Sequence, residues 1–185
     1  MQVFKKSVLL LLSVSALLGA CKKDEQDVAP TDDNEAITTA TLRLTNTTNP
    51  ADTVSATVEN LNTQADFSKA TLNLKANTTY SAVIQLWDKT QKPTVDATEE
   101  IREKKNEHLF VYTPASGLNL TVNITDQDSN PAPGPYPVGL TSTMTTGAAS
   151  SGQLNVVLRH QPGAKNGTAT PGTSDLDTRF SVVIQ

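Results

Sequence analysis

Between Ile37 and the C-terminus the chain repeats one pattern: apolar residues at every second position, in runs of three to eight, separated by Asn, Gly, Pro and Asp. Leu42 and Leu44 alternate with polar neighbours, then Val54, Ala56 and Val58, then Leu72 and Leu74. Tyr80, Ala82, Ile84 and Leu86 form a longer run, with Val83 and Trp87 on the other face. His108–Tyr112, Leu118–Ile124, Val138–Met144, Leu154–Leu158 and Phe180–Ile184 continue the series. A side-chain period of two means one dry face and one wet face per strand. About nine such strands predict an all-β fold, an antiparallel β-sandwich of immunoglobulin-like architecture, over residues 37–185. The abundant Thr suits the solvated faces of such sheets.

One segment departs from this period. Residues 96–107 contain helix formers, acids first and lysines late, with Asp96 and Glu99 at capping-box spacing. Ile101 is the only large apolar residue inside it, which predicts a short surface helix crossing between the sheets. Two long loops stand out. Residues 126–137 carry Asp126, Asp128 and Asn130 followed by Pro131, Pro133, Pro135 and Pro137, and residues 161–175 are rich in Gly, Thr, Pro and Asn. The Asp126-x-Asp128-x-Asn130 spacing opens like a calcium loop, but Pro131 and Pro137 occupy the positions that need glycine and a bidentate glutamate. It reads as a turn.

The start of the chain has a different grammar. Lys5 and Lys6 precede an apolar run from Val8 to Leu18, too short to span a bilayer as a helix, and small residues then lead to Cys21. Leu18-Gly19-Ala20-Cys21 resembles the lipobox of bacterial lipoproteins. That resemblance implies a signal peptide over residues 1–20, removal of those residues, and acylation of Cys21 with palmitate-type chains. Two or three chains, at about 0.8 kcal/mol per buried CH₂, amount to stable anchorage. Residues 22–36 are polar, acidic and aperiodic, which predicts a disordered tether between the lipidated cysteine and the sandwich. Lys22-Lys23-Asp24-Glu25 is similar to the surface-export signal of Bacteroidota lipoproteins, which implies an outer-membrane protein facing outward; the periplasmic face is the alternative.

Cys21 is the only cysteine, so the mature chain has no disulfide and no thiolate chemistry. Loss of residues 1–20 removes Lys5 and Lys6, leaving 13 basic against 19 acidic residues, a net charge of −6. An acidic surface without a basic cluster argues against nucleic acid as a partner. Nucleophile elbows, zinc-protease helices, phosphate loops and dinucleotide turns are all missing from the sequence, which predicts a protein that is not an enzyme.

The sharpest chemical feature is the pair of histidines. His108 follows the acidic helix, where Glu103 and Glu107 are four apart on one face, and His160 continues the inward register of Leu154, Val156 and Leu158. Two imidazoles and carboxylates at a sandwich rim are ligand types that zinc accepts. His108, His160, Glu103 and Glu107 are therefore candidate metal ligands. The same residues also suit two unrelated rim histidines beside a solvated helix. Asp175 and Asp177 read as turn residues.

Glu35–Thr39, Leu74–Tyr80, Thr98–Ile101, Glu107–Tyr112, Thr125–Asn130 and Leu158–His160 together resemble a family of small Bacteroidota cell-envelope lipoproteins catalogued under the label "type 1 periplasmic binding fold superfamily protein". That label describes two α/β lobes, whereas the strand pattern points to a sandwich. The resemblance implies an envelope accessory protein linked to metal uptake through an outer-membrane receptor. The resulting expectation is a lipid-anchored, non-enzymatic ligand-binding accessory for a divalent metal such as zinc. A structural or adhesive sandwich that binds protein or glycan, with Trp87 in an exposed aromatic patch, is the alternative.

Overall fold

A computed structural model describes residues 36–185; the signal peptide expected over residues 1–20, Cys21, Lys22–Glu25 and most of the expected tether lie outside the described residues. The chain folds into two sheets and one short helix. Its strands are β1 (Thr39–Asn46), β2 (Thr53–Glu59), β3 (Asp66–Lys69), β4 (Thr71–Leu74), β5 (Thr79–Asp88) and β6 (Val95–Asp96). Helix α1 (Ala97–Glu103) follows, then β7 (His108–Pro114), β8 (Leu120–Ile124), β9 (Thr141–Thr146), β10 (Ser150–His160) and β11 (Thr173–Ile184). The larger sheet runs β3-β2-β1-β5-β9-β8, with β6 added to the end of β5, and the smaller runs β4-β11-β10-β7. Every pairing is antiparallel except β11 with β4, which is parallel.

The alternation in the sequence is what packs the sheets together. Leu42, Leu44, Ile84, Leu86 and Met144 from the larger sheet meet Leu72, Leu154, Val156, Leu158 and Phe180 from the smaller in one buried cluster. Each fully buried large side chain contributes about 1.5–3 kcal/mol. Threonines cover the other face of the larger sheet and pair across strands, Thr41 with Thr57 at 3.0 Å and Thr125 with Thr141 at 2.9 Å.

Eleven strands are present among the described residues, where the pattern predicts about nine, because β3 and β6 are short and expose most of their length. Val138 and Leu140 are buried but precede β9 instead of belonging to it. The N–H groups of Gly139 and Leu140 donate to the Asp126 carboxylate (2.9 and 3.0 Å), so a side chain replaces ladder bonds there.

The helix is shorter than the sequence suggests. Asp96 caps it by accepting from the Thr98 N–H (2.9 Å), but Glu99 turns to Arg102 and does not close a capping box. Ile101 is fully buried as expected. Thr98 is buried as well, because its hydroxyl accepts from the Leu86 N–H and completes an edge of β5 that no strand covers. The helix thus hands the chain from the larger sheet to β7 on the smaller one.

Candidate metal centre

Adjacent strands β7, β10 and β11 each supply one side chain to a buried cluster at one end of the smaller sheet. In the β7–β10 ladder His108 stands directly opposite His160, and Phe110 stands opposite Leu158. Both histidines share the inward face, and directly opposed residues are near neighbours. Their rings stack with centroids 4.9 Å apart and planes 11° apart. The 51 residues between them in the chain are bridged by a single cross-strand pair.

The third side chain comes from an irregularity. Leu158 pairs with Leu176, but the next residue, Arg159, pairs with Ser174, so Asp175 is an extra residue in β11. Strict alternation from Phe180, Thr178 and Leu176 would turn Asp175 outward. A β-bulge places two successive side chains on one face and re-aims the first. The Asp175 carboxylate is accordingly fully buried, with Oδ2 3.4 Å from His108 Nε2. Ligand atoms of His108, His160 and Asp175 all lie within 4.8 Å of one another.

Loop 161–172 is tied down behind the cluster. Arg159 Nη2 donates to the Pro171 carbonyl at 3.0 Å, and Gln161 Nε2 donates to the carbonyls of Thr168 and Pro171 (2.8 and 3.1 Å). Gly172 has φ +76°, and a Cβ there would sit 1.8 Å from the His160 carbonyl oxygen. Only glycine permits this approach, which holds the start of β11 against the end of β10.

The hydrogen bonding of the cluster is one-sided. His108 Nδ1 lies 3.1 Å from the Lys104 carbonyl, which can only accept, so this nitrogen carries a proton. In the neutral ring, Nε2 then presents its lone pair toward Asp175. His108 Nε2 and both Asp175 carboxylate oxygens are buried without a hydrogen-bond partner. A distance of 3.4 Å is longer than an N–H···O hydrogen bond. An ionised carboxylate removed from water without partners costs several kcal/mol, roughly. A proton shared by the two groups or a metal ion between them would satisfy these atoms.

A metal ion fits the donor chemistry. Three atoms mutually within 4.8 Å can all lie within about 2.8 Å (4.8/√3) of one centre, so the donors must close in by up to about 0.6–0.8 Å to reach zinc–ligand bonds of about 2.0–2.2 Å. A backbone carbonyl that holds the distal N–H of an imidazole is also the usual support of a metal-ligating histidine. The stacked rings must turn modestly to point at one ion. His160, whose ring makes no hydrogen bond among the described residues, is free to do so.

Of the residues singled out from sequence, His108 and His160 come together. Glu107 Oε2 lies 3.7 Å from His160 Nε2 on a side chain that is 41% exposed. Glu103 is exposed on the last turn of α1 and makes no ion pair or hydrogen bond with either histidine. Asp175, read from sequence as a turn residue, is the carboxylate at the centre, and only the bulge makes it so. Trp87 is half-buried on the outer face of the larger sheet, lining a shallow depression with Thr41, Thr57, Glu59 and Lys89.

The fold and the cluster together define an all-β sandwich with a buried two-histidine, one-carboxylate centre. No protein-family model, no curated protein and no solved structure matches the chain. No helix among the described residues is long and apolar enough to cross a membrane.

Proposed function

We propose that this chain is a lipid-anchored, non-enzymatic binding module of the outer membrane, displayed on the cell surface, that captures a divalent transition metal such as zinc at His108, His160 and Asp175. The reading rests on one observation above the others: a buried carboxylate and a facing imidazole nitrogen 3.4 Å apart, neither with a hydrogen-bond partner. Imidazole nitrogens with a single carboxylate suit zinc and its neighbours better than calcium or magnesium, which prefer all-oxygen sites. The lipobox-like Leu18–Cys21 and the acidic run after it support the membrane location, and the resemblance to envelope lipoproteins supports delivery of the ion to an outer-membrane receptor. Calorimetric titration of zinc into the protein tests the site. One ion per chain is expected, with binding lost in the His108→Ala, His160→Ala double variant; unchanged binding in that variant would discard the site.

A second reading, glycan or protein binding by the larger sheet, rests on Trp87 in its polar depression. It predicts that Trp87→Ala abolishes retention on a glycan array while leaving zinc binding intact.

A further inference from the structure

We propose that Glu107 is the fourth ligand of this centre, closing it to water and serving as the group through which the ion enters and leaves. The inference rests on the metal reading above and adds a residue, a coordination number and an exchange route to it.

Geometry supplies the first argument. In a tetrahedral zinc site with bonds of about 2.0–2.1 Å, neighbouring ligand atoms lie about 3.3 Å apart. Two candidate edges already approach that length without an ion: His108 Nε2 to Asp175 Oδ2 at 3.4 Å and His160 Nε2 to Glu107 Oε2 at 3.7 Å. Glu107 is held near His160 by its backbone, since its carbonyl accepts from the Gln161 N–H at 2.6 Å and its own N–H donates to the Lys104 carbonyl at 2.9 Å. Its carboxylate makes one ion pair and no hydrogen bond among the described residues, so it can swing inward without breaking a hydrogen bond.

Charge supplies the second. Two neutral imidazoles and Asp175 alone would leave a divalent ion with a net +1 in a place where His108 and the Asp175 side chain are fully buried. Adding the Glu107 carboxylate brings the centre to zero, which removes the cost of burying a net charge.

The third argument is access. Fractional exposure of the side chains is 0% for His108 and Asp175, 8% for His160 and 41% for Glu107. The carboxylate of Glu107 is the donor an incoming ion meets first, and the one a competing ligand displaces most easily. A closed four-ligand site carries cargo; an open position, as in zinc hydrolases, would activate water.

Cobalt(II) reports coordination number through its visible absorption and tests the idea in the full mature chain in detergent. The wild-type protein is expected to give the intense band of four-coordinate cobalt, unchanged by added azide. Glu107→Ala should still bind one cobalt, with a weakened band that responds to azide, and should release the ion to a chelator at least about tenfold faster. Identical spectra and release rates in the two proteins would overturn the role of Glu107 while leaving the three-residue centre standing. A wild-type protein that takes up no cobalt would overturn both.

Discussion

Two buried carboxylates in this molecule are treated in opposite ways. Asp128 sits in the proline-rich loop and is fully satisfied: Oδ1 accepts from the N–H groups of Tyr136 (2.8 Å) and Asn130 (3.1 Å), while Oδ2 accepts from Asn130 Nδ2 (2.7 Å) and Lys165 Nζ (2.9 Å). Lys165 is buried too and also donates to the Lys105 carbonyl at 2.8 Å. Asp175 has no hydrogen bond at either oxygen and faces the imidazoles of His108 and His160. The first arrangement is complete and structural: the lysine supplies the cation that the calcium-like spacing seemed to request. The second has no hydrogen-bonded cation, and the proposed metal site rests on that difference.

The largest expected effect lies on the satisfied side. Lys165→Met leaves the Asp128 charge buried without a counter-ion and should lower unfolding free energy by about 3–5 kcal/mol, read from urea melts. Burial pushes the Asp128 carboxyl upward, but hydrogen bonds from Tyr136, Lys165 and Asn130 outweigh it and hold the folded-state pKa below the ordinary 3.8. The Asp128 contribution is therefore complete above that ordinary value and lost as pH falls through the lowered one. Urea melts repeated down the acid range should show this decline in the wild type and not in Asp128→Asn.

On the unsatisfied side, Asp175→Asn should leave the metal-free protein as stable as before, or more stable by about 1 kcal/mol, because it removes a buried charge without a partner. The same substitution should erase the stabilisation by zinc, about 2.7 kcal/mol at a free concentration one hundred times the Kd. A large loss of metal-free stability in Asp175→Asn would make Asp175 a second structural staple and dissolve the contrast.

Gly172→Ala sharpens the comparison at a distance from the donors. The added methyl collides with the His160 carbonyl and should cost about 1–3 kcal/mol of stability while weakening zinc binding through displacement of His160. Thermal melts with and without zinc separate the two effects. The smallest effect belongs to Glu103→Gln, on the exposed last turn of α1, which should change neither stability nor zinc affinity measurably.

The sandwich was legible because alternation in runs such as Tyr80–Leu86 directly encodes which face is dry. The inward register of His160 followed from Leu154, Val156 and Leu158 for the same reason. The neighbour of β10 was not legible: strand order depends on long-range packing, so the pairing of His160 with His108 had no local signal. Asp175 was actively concealed, since parity counted back from Leu176 turns it outward and only the bulge reverses that. The helix read too long because its lysine-rich end continues the propensity but not the hydrogen bonding, and the chain enters a turn after Glu103.

Zinc calorimetry on the wild type beside Asp175→Asn tests the central claim most directly. One bound ion per chain in the wild type and none in the variant, with both proteins folded to the same degree, is the predicted result. Equal zinc binding by the two, or none by either, would contradict it.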